Sequence, residues 1–218
     1  MSKLLEVIIT SGGTISKIDD VRHIGNFSSG TTGTLIAEEF LRRGHYVHYI
    51  HAKNAKRPFR HRLIFDSDAA FGEEAARLRH VQRKILAYRD HLQEHAFETF
   101  EEYFSLVQEL VTKKTANAII LAAAISDYGI KPVAGKISSD LESMTLELQR
   151  NPKVISHIKK WDPTIFQVGF KLLTNTPIEQ LIDTGTLQFC TEHTFKSRRL
   201  QQPLGLRLLC QTFGHVHF

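Results

Sequence analysis

Apolar and polar positions fall in blocks along the chain. Residues 5–10 form a short run rich in β-branched side chains, and Ser11-Gly12-Gly13-Thr14 follows at once. That pattern predicts a buried strand ending in a tight turn. A second turn, Ser28-Ser29-Gly30-Thr31-Thr32-Gly33, opens a helical pattern through Leu35, Ile36, Phe40 and Leu41 that closes at Gly44, and the run YVHYI at 46–50 reads as the next strand. Further on, the spacing predicts a charge-rich outer helix over 72–95, a short strand or lead-in at 97–100 and an amphipathic helix over 101–114. The most apolar stretch, AIILAAA at 118–124, has the character of a strand buried on both faces. Residues 145–148 alternate like a strand, 151–160 read as a helix with Asn151 as its cap and Pro152 in its first turn, and 164–170 read as a last strand. Strands alternating with helices imply an α/β fold of three layers, a mainly parallel sheet with helices on both faces.

Composition adds bounds to this picture. Of 218 residues, 42% are hydrophobic and 23% charged, with 13 glycines and 6 prolines, which excludes a disordered, collagen-like or disulfide-scaffold chain. Cys190 and Cys210 show no zinc-type spacing, and no run approaches the roughly 20 apolar residues of a membrane span. With no signal-peptide pattern at the start, the expectation is a reducing, cytoplasmic setting without membrane partners. The formal charge is +5, yet residues 185–218 alone carry +3 of it, through Lys196, Arg198, Arg199 and Arg207 against Glu192. The body is close to neutral, so the basic balance does not argue for a nucleic-acid partner. The basic stretch at 52–62 reads as a solvated surface loop.

Several residues could carry chemistry. The two glycine turns are either tight connections or a phosphate cradle, because glycine permits close approach and the N terminus of a helix presents N–H groups with a favourable dipole. Neither G-x-G-x-x-G nor G-x-x-x-x-G-K-[ST] occurs, so a standard dinucleotide site or P-loop is not supported. Asn26 either holds an oxyanion or orients a carboxylate, or stabilises its loop. Asp127, where the apolar 118–124 run turns polar, is suited to a ribose hydroxyl, a metal or its own turn backbone. Lys136, after a glycine, either faces solvent or points at a phosphate. His45, His48 and His51 recur at a spacing that does not keep them on one strand face, and with His23 they read as structural histidines.

Five ordered segments together resemble the phosphopantothenate–cysteine ligase family in its stand-alone form. They are Thr10-Ser11-Gly12-Gly13-Thr14, Val21-Arg22 with Asn26-Phe27-Ser28-Ser29-Gly30, Ala122-Ala123-Ala124-Ile125-Ser126-Asp127-Tyr128, Gly135-Lys136-Ile137, and Val168-Gly169-Phe170-Lys171. The resemblance implies a Rossmann-like three-layer fold, a homodimer, and a coenzyme A biosynthesis reaction. In it 4′-phosphopantothenate is activated by CTP or ATP with Mg²⁺, and cysteine then displaces the nucleotide. It implies that Gly12, Ser28, Gly30 and Gly33 cradle the triphosphate and that Asp127 and Phe170 contact the nucleoside. Asn26, Ala123 and Ala124 would line the substrate side, with Asn26 and Lys136 catalytic.

The resemblance covers residues 5–184 and implies a ligase-like domain at 1–184. Residues 185–218 read as a divergent basic tail in place of the family's last strands and part of its nucleotide pocket. Two other readings follow from the residues: a catalytically impaired, nucleotide-binding member of the family, and an NAD(P)-dependent oxidoreductase. The oxidoreductase would call for an acidic residue after the second strand, where Lys53, Lys56 and Arg57 stand.

Overall fold

A computed structural model describes residues 4–140 and 142–170. The expected strand at β1 (Glu6–Ser11) is followed by two short strands, β2 (Ile15–Lys17) and β3 (His23–Gly25), which pair with each other as a hairpin. Then come α1 (Thr31–Arg42), β4 (Tyr46–Ala52), α2 (Phe71–Tyr88), β5 (Leu92–Phe97), α3 (Phe100–Thr112) and β6 (Ala118–Leu121). A second small pair, β7 (Tyr128–Gly129) and β8 (Gln149–Arg150), precedes α4 (Ile155–Trp161) and β9 (Phe166–Gly169). The central sheet has the order β5-β4-β1-β6-β9 and every pairing in it is parallel.

Register explains how one apolar run serves two layers. Val7, Ile8 and Ile9 are all buried, but successive side chains leave opposite faces of the sheet. Ile8 packs with Ile50, Ile119, Tyr103 and Val107 on the α3 side. On the other side Ile9 pairs with Tyr49, whose hydroxyl lies 2.8 Å from Thr34 of α1. Each fully buried aliphatic side chain here contributes about 2 kcal/mol. Burial pushes both the Tyr49 and Tyr103 phenols up to about 12, so they act as neutral hydrogen-bonding groups of the core.

Several expectations need correction. The helix expected over 72–95 ends at Tyr88, and its last residues form edge strand β5 beside β4, because Leu92 to Phe97 can complete the sheet's hydrogen bonding. The strand expected at 145–148 is absent; those residues are largely exposed with no face to bury, and pairing occurs at Gln149–Arg150 instead. The helix expected from Asn151 begins at Ile155, since Asn151 is committed elsewhere: its N–H donates to Asp127 O at 2.8 Å and its amide to Ser126 O at 3.0 Å. Strand β6 stops at Leu121, three residues early, although Ala124 still bridges to Gly13.

The basic 52–62 stretch does keep its charged side chains largely at the surface, but it is pinned by an apolar anchor. Phe59 is 1% exposed and stacks on Tyr88 with ring centres 5.0 Å apart. Apart from Lys56, the stretch's lysine and arginine side chains reach carboxylates while remaining partly exposed: Lys53 lies near Glu98, Arg57 and Arg60 near Glu94, and Arg62 on Glu38. Glu38 of α1 is fully buried and accepts from Arg42 and Arg62, each at 2.8 Å, and from the Phe59 N–H at 2.9 Å. Histidines 48 and 51 do leave opposite faces, as their spacing implies: His48 meets His95 and Glu6, and His51 stacks on Tyr49.

Candidate functional site

The sheet order places β1 at the point where connections reverse. From β1 the chain moves outward through α1 to β4 and β5, then returns to β6 on the other side. The carboxyl ends of β1 and β6 therefore splay apart and form the crevice where ligands of open α/β sheets bind. Two of the sequence motifs meet there. Ala124 donates its N–H to Gly12 O at 2.7 Å, and Thr14 donates to Ala124 O at 3.3 Å, stitching the Gly12-Gly13 turn to the alanine run. Threonine hydroxyls reinforce the seam: Ala123 N–H donates to Thr10 Oγ1 and Ser126 N–H to Thr14 Oγ1.

Asn26 closes one side of this crevice from the base of the hairpin. Its N–H donates to Thr14 O at 3.4 Å, and its side-chain Nδ2 donates to Ala124 O at 3.0 Å. That bond fixes the amide's orientation and leaves its Oδ1 and second N–H for another partner. The side chain is exposed although its backbone is held, an arrangement suited to meeting a ligand. Ala123 and Ala124 are half-buried beside it and bring backbone within reach of the same space.

The second turn forms the adjoining wall. Gly30 lies in the left-handed region at φ 74° and precedes α1, whose N terminus has no side-chain cap. The Ser11 hydroxyl donates to Gly30 O at 2.9 Å, and Thr34 Oγ1 donates to the same carbonyl at 2.8 Å. Gly12, Gly30 and Gly33 also have a packing requirement set by residues distant in the chain. A Cβ on Gly12 would lie 2.6 Å from the Ala52 Cβ, one on Gly30 2.7 Å from Ser11 Oγ, and one on Gly33 2.7 Å from the Ser11 Cβ. Their missing side chains let the two turns interlock, and any anion cradle is made by the N–H groups the interlocking presents. Ser28 is half-buried at the start of this turn.

Lys56 belongs to this wall and was hidden within the basic run. Its N–H donates to Ser29 O and its carbonyl accepts from Tyr49 Oη, each at 2.9 Å. The ammonium donates to Thr31 Oγ1 at 2.9 Å in the first turn of α1. Among the described residues it has no carboxylate partner, unlike Lys53, Arg57, Arg60 and Arg62 around it. Only its lack of a partner in space singles it out.

The remaining candidates lie farther out. Asp127 is exposed after the alanine run, and its turn is satisfied by Asn151, which leaves the carboxylate without a bonded partner among the described residues. Phe170 follows β9 at the same carboxyl edge and is half-exposed. Lys136 is exposed on a segment docked at the tip of the β2–β3 hairpin, whereas Asn26 follows the end of its second strand. The structure thus gathers Gly12, Gly30, Gly33, Ser28, Asn26, Ala123 and Ala124 around one crevice, and it holds the segment carrying Lys136 against the turn of the hairpin that leads to Asn26. No group of three or more His, Cys, Asp or Glu side chains among the described residues could hold a metal ion. No helix among them is long and apolar enough to cross a membrane.

These features define an open, doubly wound α/β domain with a glycine- and alanine-lined crevice at its topological switch point. The chain belongs to the family described as the DNA/pantothenate metabolism flavoprotein C-terminal domain, which it matches over residues 3–65 and 69–184. This is the ligase family whose ordered motifs the sequence resembles. It is 31% identical over 182 residues to the coenzyme A biosynthesis bifunctional protein CoaBC of Thermococcus kodakarensis, covering 84% of this chain and 38% of that protein. It is 32% identical over 196 residues to phosphopantothenate–cysteine ligase 2 of Oryza sativa, covering 79% of this chain and 61% of that one. A solved structure of a Cab2 variant in complex with phosphopantothenate-cysteine superposes with a TM-score of 0.70 at 25% identity, over 85% of this chain and 69% of that one. The chain thus spans less than two thirds of the length of these two curated relatives.

Proposed function

We propose that the chain is a phosphopantothenate–cysteine ligase of coenzyme A biosynthesis, acting in the cytoplasm as a homodimer. The observation that carries this reading is the convergence of Asn26, the Gly12-Gly13 turn and Ala124 at the β1–β6 switch point, within a family match that covers these positions. In the first step a carboxylate oxygen of 4′-phosphopantothenate attacks the α-phosphorus of CTP or ATP, forming an acyl nucleotidylate as the P–O bond to pyrophosphate breaks. In the second, the cysteine amine attacks the acyl carbon; the C–N bond forms, the nucleoside monophosphate leaves, and the amine's proton is lost to solvent.

The chain's residues have distinct parts in this. N–H groups of the Ser28–Gly33 turn and the Lys56 ammonium meet the phosphates, where negative charge accumulates during transfer. Gly12, Gly30 and Gly33 keep that wall closely packed. Asn26 holds the pantothenate carboxylate in line, with the backbone of Ala123 and Ala124 along the substrate. Asp127 and Phe170 flank the nucleoside, and Lys136 assists turnover of the acyl nucleotidylate. Mg²⁺ would be carried by the nucleotide's phosphates and would neutralise their charge; the described residues include no group of three or more His, Cys, Asp or Glu side chains to hold it on their own.

Calorimetry with CTP and with ATP, run beside a pyrophosphate-release assay containing phosphopantothenate, tests the reading. Nucleotide binding with pyrophosphate release supports it. Binding without release indicates a nucleotide-binding but catalytically impaired member, and binding of NADPH alone overturns it in favour of an oxidoreductase.

A further inference from the structure

Among the described residues Lys136 makes no side-chain hydrogen bond or ion pair, yet the backbone on both sides of it is tightly held. The residues that hold it lie about 115 positions earlier, in the turn between β2 and β3. Asp19 is 2% exposed, and one of its oxygens, Oδ1, accepts the N–H groups of Val21 at 2.9 Å and Arg22 at 2.7 Å. The other, Oδ2, accepts the Arg22 guanidinium at 2.5 Å and, from across the molecule, the Ile137 N–H at 3.1 Å. Arg22 completes the ring by donating to Ile137 O at 3.1 Å. On the other side of Lys136, Gly135 donates to Asp20 Oδ2 at 3.1 Å and accepts from Asp20 N–H at 3.2 Å, while Val133 donates to Ile18 O at 2.9 Å.

A buried carboxylate that shares its oxygens between its own turn and a distant segment is more than a turn cap. Val21 and Arg22 alone would occupy a solvated Asp of an ordinary Asx turn. Here the Ile137 N–H and the Arg22 guanidinium take the second oxygen, so the hairpin tip and the 135–137 segment become one unit. The same hairpin ends in Asn26 at the crevice.

We propose that Asp19 is a positioning residue of the ligase reaction: through Arg22 and the Ile137 N–H it fixes the segment carrying Lys136 to the hairpin that ends in Asn26. The inference rests on the reading of Lys136 given under the proposed function. Asp19 itself touches no reacting atom. Its contribution is to hold the lysine's backbone in one place, since a displacement of about 1 Å in such a group lowers rate by up to about 100-fold.

The test uses the full chain. Amide exchange needs no turnover: in Asp19→Asn, an isosteric change that presents an NH₂ where Ile137 N–H donates, exchange at Ile137 accelerates at least about 10-fold while the amides of β1 and β6 keep theirs. In turnover the same variant loses about 10- to 100-fold in kcat with KM for nucleotide within about twofold. Asp20→Ala, at an exposed position where folding is not at risk, gives a smaller loss of about threefold in the same direction. Added to Lys136→Ala, Asp19→Asn causes no further loss, because both act through one group. Unchanged exchange at Ile137, an unchanged kcat, or losses that multiply in the double variant each overturn the inference. A wild-type chain without turnover, or an undiminished Lys136→Ala, overturns the functional reading instead, and the exchange result distinguishes that outcome from a failed clamp.

Discussion

The crevice between β1 and β6 and the basic strap at 52–62 are both polar, and they are built on opposite principles. In the crevice, backbone and hydroxyl groups hold the walls together: Gly12 to Ala124, Thr10 to Ala123, Ser11 and Thr34 to Gly30. In the strap, formal charges do so, with buried Glu38 and half-buried Glu94 drawing in arginines. Neutral walls leave N–H groups and the Asn26 amide free to meet a charged ligand, whereas the strap neutralises its own cations and retains only Lys56 facing the crevice wall. A basic sequence run is therefore poor evidence of an anion site until its partners are known, and a glycine turn with no charge at all can be a better one.

The sharpest way to break this contrast is to put a charge into the neutral wall. Asn26→Asp sets a carboxylate against Ala124 O, and pyrophosphate release falls at least about 100-fold while the circular dichroism spectrum is unchanged. An undiminished rate removes Asn26 from the mechanism. Gly12→Ala attacks the packing instead: with φ at 85° and a Cβ 2.6 Å from that of Ala52, it costs about 3 kcal/mol, read from urea unfolding.

In the strap, Glu38→Gln leaves Arg42 and Arg62 without their shared charge and costs about 2 kcal/mol, with nucleotide affinity preserved if the strap is only a support. Lys56→Ala reverses that split: stability is retained, and KM for nucleotide rises about 5- to 10-fold, a change near 1 kcal/mol. Equal effects of both variants on affinity would erase the distinction between the two regions.

The smallest effect is one of pH. Hydrogen bonding from Arg77, with the Asp66 N–H, holds the Glu74 carboxyl at about 2, below its ordinary 4.5. Burial raises the Asp19 carboxyl, but the bonds from Val21, Ile137 and Arg22 outweigh it and hold that group at about 2, below 3.8. Because both folded values are depressed, their contribution is complete above the unfolded values and is lost as pH falls from about 4.5 towards 2. The melting temperature of Glu74→Gln should thus lie below wild type at pH 7 and approach it by pH 3; parallel curves would contradict the linkage.

How much was legible in the sequence depended on whether a segment's environment was set locally. The unit β1, turn, α1, β4 was readable because its apolar period and its glycines speak for themselves. Strand β5 was not: Leu92 to Phe97 has a mixed pattern continuous with α2, and it becomes a strand only because β4 has a free edge. The cap expected of Asn151 failed for a related reason, its amide being claimed by the Ser126 turn 25 residues earlier. Among site residues, Asn26 and the glycines carried visible motifs. Lys56 and Asp19 did not, since one looks like its basic neighbours and the other like any turn aspartate.

The sequence by itself determined the alternation of strands and helices, the glycine turns at strand ends, and the family to which the chain belongs, because periodicity and ordered motifs are properties of neighbouring residues. Only the tertiary structure decided which of those residues meet. It placed Ala124 against Gly13, gave the arginines of the strap to Glu38 and Glu94, left Lys56 at the N terminus of α1, and joined Asp19 to Ile137. Hydrogen bonds and ion pairs of this kind act over about 3 Å in space between residues that lie 20 to 120 positions apart, and no local pattern encodes that proximity.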